Sequence, residues 1–182
     1  LWLGSKELTS IQTSTSDITI RADDYNFNGK RPYFATSGSV FWEPVSSSTS
    51  FNEEVKTNLF NWNQNNQTMS GLTIGKPGNT SNITHNTYDI TVAGPISMLG
   101  GVITIDKNLT SSSNGDIFLK GISGANGDVV INSGDAITKS GGTGTLTMQG
   151  HGRIINSGTI TTSGSGLLNV VMWSDYDDDN ND

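Results

Sequence analysis

From residue 88 to residue 175 the sequence keeps returning to one short phrase. Two or three apolar residues alternate with polar ones, a Gly, Asn or Ser corner follows, and another apolar residue often stands just beyond it. The instances are "DITVAGPIS", "GVITIDKNLT", "GDIFLKGI", "GDVVINSGDAIT", "GTLTMQG", "RIINSGTITT" and "LLNVVMWSD". Alternation at period two places one set of side chains on one face of an extended strand. The spacing is close to even: Ile90 to Ile103 is 13 residues, Ile103 to Ile117 is 14, and Ile117 to Val129 is 12. Self-similarity extends to detail, as in "INSGDAIT" at 131–138 beside "INSGTITT" at 155–162. Such repetition restricts the chain to repeat architectures before anything else is considered.

Evenly spaced short strands build either an antiparallel sandwich or a parallel solenoid. The corners discriminate between them. Hairpins favour two-residue turns such as Asn-Gly between strands of matched length. Here "AGP", "NSGD" and "NSGT" lead directly to Ile96, Ile137 and Ile160, each a further inward residue. A corner followed at once by an inward residue is how a coil passes from one face to the next. The pattern predicts an all-β chain folded as a right-handed parallel β-helix, with the antiparallel β-sandwich as the alternative. Two strand-and-corner units would make a coil of roughly 20–28 residues. Ile90, Val92, Ile103, Ile105, Ile117, Leu119 and Leu146 are the expected inward set.

The first half is less regular. "SDITIRADD" and "SGSVFWEP" read as further coil strands, and "SGLTIGKPG" resumes the pattern at residue 70. Between them "SFNEEVKTNLFNWN" has Ser50 three residues before Glu53, the signature of a capping box, and Phe51, Val55, Leu59 and Trp62 at helical spacing. This predicts a short amphipathic helix at about 51–60, within an insertion on the side of the solenoid. An irregular loop with a few buried aromatics is the competing reading.

Composition excludes several classes. Apolar residues make up 32% and charged residues 15%, with a formal net charge of −7. A disordered chain usually joins low hydrophobicity to high net charge, and nucleic-acid binding needs a basic stripe. Neither is present. There is no cysteine, hence no disulfide framework and no thiolate metal site. No apolar run approaches the ~18 residues of a membrane span. The opening "LWLGSKEL" has neither Met nor a signal-type pattern and reads as the interior of a longer polypeptide.

Candidate site residues are few. The end of the chain, "DYDDDNND", sets Asp175, Asp177 and Asp179 at alternate positions. Alternate oxygen ligands are what a calcium loop uses, although Asn180 stands where such a loop has Gly. A solvated acidic linker is the other reading. Trp42, Phe60 and Trp62 cluster about the insertion, where they either stack on a sugar ring or pack the insertion against the solenoid. His85 and His151 are far apart in sequence and are expected at the surface. Asp23–Asp24 and Glu53–Glu54 are adjacent pairs, and neighbours on a strand point to opposite faces, so neither makes an acid/base dyad. The chain is therefore read as non-enzymatic and as needing no cofactor, calcium at the comb being the single candidate. A β-helical polysaccharide lyase or hydrolase is the less favoured rival.

"SDITIRADD", "LTIGKPGNTSNIT", "DITVAGPISMLGGVITIDKNLTSSSNGDIFLKG" and the closing "GLLNVVMWSD" with its aspartates together resemble the repeats of filamentous-haemagglutinin-type secreted bacterial proteins. The resemblance is closest to the very large repetitive adhesins of Bacteroidota, gliding-motility adhesins among them, and covers nearly the whole chain loosely. It implies a β-helical stalk segment displayed outside the cell, with no catalytic residues to carry over. Its partners would be adjacent repeats of the same polypeptide, with surface polysaccharide as a further one. On this reading residues 1–175 form one solenoid unit with an insertion at about 43–69, and 176–182 form an acidic junction between repeats.

Overall fold

The computed structural model describes residues 10–24, 31–45, 49–62, 68–86, 88–122 and 127–174. Every strand pairing among them is parallel, and the chain winds through about six turns of a β-solenoid. Three faces enclose the interior. The first is a seven-stranded sheet of β2 (Ile18–Arg21), β4 (Ser39–Glu43), β6 (Gly71–Gly75), β9 (Ile96–Gly100), β12 (Ile117–Gly121), β15 (Thr143–Gly150) and β18 (Leu167–Ser174). The second has five strands: β5 (Val55–Lys56), β7 (Ile83–His85), β10 (Ile103–Ile105), β13 (Val129–Ile131) and β16 (Ile154–Asn156). The third has four: β8 (Ile90–Val92), β11 (Leu109–Ser111), β14 (Ala136–Lys139) and β17 (Thr159–Thr162). Near the N-terminal end β1 (Ser10–Gln12) pairs with β3 (Tyr33–Ala35). A complete coil thus has three strands, one more than the sequence spacing suggested.

Register on the first face fixes the coil lengths. Ile18 pairs with Val40, Val40 with Leu72, Leu72 with Ile96, Ile96 with Ile117, Ile117 with Leu146 and Leu146 with Val170, steps of 22, 32, 24, 21, 29 and 24 residues. The same inward position is kept each time because a one-residue slip would turn every apolar side chain outward. The interior is consequently built of stacks. Ile90 lies under Leu109, Ile137 and Ile160, and Val55 under Ile83, Ile103, Val129 and Ile154. All seven residues expected to face inward do so and are fully buried.

The corner between the first and second faces is made by glycine. Gly100, Gly121 and Gly150 stand in one column. A Cβ on them would meet the backbone oxygens of Ser81, Gly127 and Arg153 at 2.6, 2.4 and 2.6 Å. Only a residue without a side chain lets the chain turn so close to its neighbours.

The expected helix at 51–60 is not formed. Val55–Lys56 is a strand of the second face, followed by a single 3-10 turn at Thr57–Leu59, the only helical segment among the described residues. Two interactions with the next coil account for the difference. Val55 N–H donates to Asn82 O at 2.8 Å, a ladder bond that a helix would forfeit. Ser50 Oγ, the supposed cap, accepts Thr80 N–H at 2.9 Å. Nor do the described parts of this segment lie on the side of the solenoid. Phe51, Val55, Phe60 and Trp62 are buried in the same core as the stacks, so the segment supplies coil interior.

Candidate functional site

The three aromatics considered for sugar stacking are core residues. Trp42 is inward on β4, and Phe60 and Trp62 follow the 3-10 turn; all are buried. They meet edge to face, Trp42 and Phe60 with centroids 4.9 Å apart and Phe60 and Trp62 5.8 Å apart. Trp62 Nε1 donates to Thr57 O at 2.7 Å. Stacking on a sugar requires an exposed ring face, and these rings spend their faces and edges on one another. The glycan reading of Trp42, Phe60 and Trp62 is therefore replaced by a packing role. Asp175, Asp177 and Asp179 lie outside the described residues. Among the described residues no group of three or more His, Cys, Asp or Glu side chains converges as a metal site would require.

His85, expected at the surface, is fully buried. It takes an inward position on β7, stacked on Ile105 of the next coil. Its Nε2 lies 3.1 Å from Asn108 O, which can only accept, so Nε2 carries the proton. Nδ1 then accepts from Thr57 Oγ1 at 3.0 Å, while that hydroxyl accepts Asn86 N–H at 3.2 Å. Burial holds the His85 pKa below the ordinary histidine value, partly offset by the Asn108 hydrogen bond and the Asp89 and Asp135 carboxylates. The imidazole is a neutral linker between coils. His151, by contrast, is half-buried.

A second polar group is built into the third face. Val92, Ser111, Lys139 and Thr162 form one inward column. Lys139 Nζ donates to Ser111 Oγ at 2.8 Å, to Gly115 O at 2.8 Å and to Ser113 O. Three acceptors match the three N–H bonds of an ammonium. Burial pulls the Lys139 pKa down, and the nearby Asp116 carboxylate partly restores it. A serine beside a lysine can form a nucleophilic pair. Here Ser111 Oγ is itself tied to Gly94 O at 2.9 Å, and both side chains are shut off from solvent. The cluster fastens one coil to the turn of the coil before it.

The most regular polar feature links coils on all three faces. In several strands an Asp or Asn immediately precedes the first inward residue, and its side-chain oxygen accepts the backbone N–H directly above it in the next coil. Asp17 takes Ser39 N–H at 2.8 Å and Asp116 takes Thr145 N–H at 2.8 Å on the first face. Asn82 takes Val102 N–H at 2.9 Å and Asp128 takes Arg153 N–H at 2.8 Å on the second. Asp89 takes Asn108 N–H at 3.2 Å and Asn108 takes Ala136 N–H at 2.9 Å on the third. Asp128 also binds the Arg153 guanidinium at 2.9 Å, which holds its carboxyl below the usual range. The signal was present in the sequence as Asp-Ile, Asn-Ile, Asn-Leu and Asp-Val pairs at the strand starts. Sequence alone does not expose the bond, because the N–H that each side chain accepts lies a whole coil away in the chain.

At the C-terminal end the same interior is left open. Val170 and Met172 occupy inward positions of β18, above Leu146 and Met148, yet each is 44% exposed. Leu167 is 66% exposed and Trp173 49%. None of the residues of β16, β17 and β18 is charged. A shallow open groove of about 370 Å³ runs along this edge between Asp116, Thr143, Thr145, Leu167 and Asn169. Its carboxylate, Asp116, already receives Thr145 N–H. The geometry offers a strand edge and an apolar cross-section, and among the described residues lining the groove Asp116 alone is titratable. No protein family, curated protein or solved structure matches this chain.

Proposed function

We propose that this chain is a structural stalk segment of a large bacterial cell-surface adhesin, working in adhesion, surface attachment or gliding motility. One observation carries the reading: an unbroken seven-strand parallel ladder whose interior positions stay in register through every coil. Neighbouring strands in such a ladder are spaced ~4.8 Å along the axis, and each coil satisfies the backbone groups of the next. The product is a rod. Threonine is the commonest residue at its outward strand positions, which suits an aqueous exterior, and the resemblance of its strand motifs to filamentous-haemagglutinin-type repeats supplies the extracellular setting.

The role is mechanical and not enzymatic. His85, Lys139, Ser111 and Asp128, the buried groups with chemical potential, are each engaged in bonds between coils. In the intact polypeptide the Asp175, Asp177 and Asp179 comb would collect calcium at the junction with an adjacent repeat. The test is surface labelling. Antibodies against the chain should decorate intact, unpermeabilised producing cells, and external protease should remove the signal. Labelling that appears only after permeabilisation sinks the proposal.

A further inference from the structure

We infer that the C-terminal end is an acceptor surface for one further β-coil of polypeptide continuous with this chain, added in parallel and in the existing register. The inference deepens the stalk reading by naming the surface through which the rod is extended, and it rests on that reading for the source of the coil.

Three independent features of the end specify the occupant. Val170 and Met172 continue interior stacks whose members in the coils beneath them are buried, so the missing neighbour must present aliphatic side chains at alternate positions. Asn169 stands in the column where Asp17 and Asp116 each accept the N–H directly above, and it is the topmost member of that column. It is placed to take the same bond from an incoming strand. Finally, the outermost strands of all three faces lack the charges and prolines by which natural edges resist pairing. The stretch "DYDDDNND" contains no aliphatic residue with which to fill these stacks, so the coil is supplied by other sequence.

An added copy of the last coil provides the test. A second copy of residues 151–174 is inserted between Ser174 and Asp175, so that each added residue falls above its own original. Val170→Asp is then made in the chain as it stands and in the extended chain. The extended chain should melt higher by about 5 °C or more, given the few degrees that each unit of stability contributes at this size. Val170→Asp should shift the melting temperature of the unextended chain by no more than about 2 °C, and should lower that of the extended chain by about 5 °C or more. In the unextended chain, the β18 amides pointing away from β15 should exchange readily with solvent and the protein should sediment as a monomer.

Equal melting of the two chains, or equal sensitivity to Val170→Asp, overturns the inference. So does protection of the outward β18 amides in the unextended chain, which needs no variant to fold. A dimer that dissociates on Val170→Asp would give the edge to a second copy of the chain and likewise overturn it. None of these results depends on where the protein resides in the cell, so failure here and failure of surface labelling remain separable.

Discussion

Met148 and Met172 are the same residue type in the same inward column of the same sheet, one coil apart. Met148 is 0% exposed and Met172 is 44% exposed. Leu146 and Val170, two residues earlier on each strand, differ in the same way. Among the described residues the opposite end differs, because Ile18 and Ile20 on β2 are buried. Position within a strand therefore decides only which way a side chain points. Burial is conferred by whatever packs on either side, and among the described residues one end strand of the sheet is covered and the other open.

The largest effect should separate those two methionines. Met148→Ala removes buried volume at a site walled by coils above and below, with an expected loss of about 2–5 kcal/mol. Met172→Ala should stay within about 0.5 kcal/mol. Urea denaturation of both variants measures the difference, and equal losses would break the comparison.

The polar column repeats the contrast at smaller size. Lys139→Ala leaves Ser111 Oγ and the carbonyls of Ser113 and Gly115 without their shared donor, a loss of about 1–3 kcal/mol. Thr162 lies directly above Lys139 on the exposed last coil, and Thr162→Ala should be close to neutral. Denaturation midpoints for this pair show whether polar interior groups follow the same rule as apolar ones.

His85 turns the comparison into a pH dependence. Its folded pKa lies below the ordinary 6.5, so the unfolded chain takes up a proton first as pH falls. The contribution is fully present above pH 6.5 and is lost below it, at up to about 1.4 kcal/mol per pH unit, until the native imidazole also protonates. His85→Gln should flatten the stability profile between pH 6.5 and 5. An unchanged slope would show that His85 is accessible to protons in the folded state.

The smallest expected effect concerns the acceptor column. Asp116→Ala frees Thr145 N–H and should remove about 0.5–1.5 kcal/mol, whereas Asn169→Ala, one coil above Thr145, should remove almost nothing. Hydrogen exchange at Thr145 is the sharper readout, faster in the first variant and unaltered in the second.

Much of this was legible from alternation alone. Ile90, Val92, Ile103, Ile105, Ile117, Leu119 and Leu146 announce their direction because a strand has period two, and no tertiary context could reverse them without reversing the whole register. The number of faces was not legible. Spacing between strands does not say how sharply each corner bends, and that depends on backbone approaches such as those at Gly100 and Gly121. Phe51, Val55, Leu59 and Trp62 misled because four apolar residues at helical spacing also suit a winding coil that needs bulk at its centre. His85, Ser111 and Lys139 were missed for another reason. Each is the second inward residue of a short strand, in "ITH", "LTS" and "AITK", but a polar residue there interrupts the apolar pattern by which inward positions are recognised.

The unequal coil steps have a consequence for how such a molecule can change over generations. Steps of 21 and 32 residues end on the same inward position, so the difference in length is taken up between successive strands of the first face while the stacks keep their order. Additions and deletions of sequence are then nearly free of penalty if they fall at a corner, and ruinous if they fall within a strand. A lineage of these chains would diversify by lengthening its corner loops while its cross-section stayed fixed. The same property makes the corners the natural place to graft a foreign loop onto the rod.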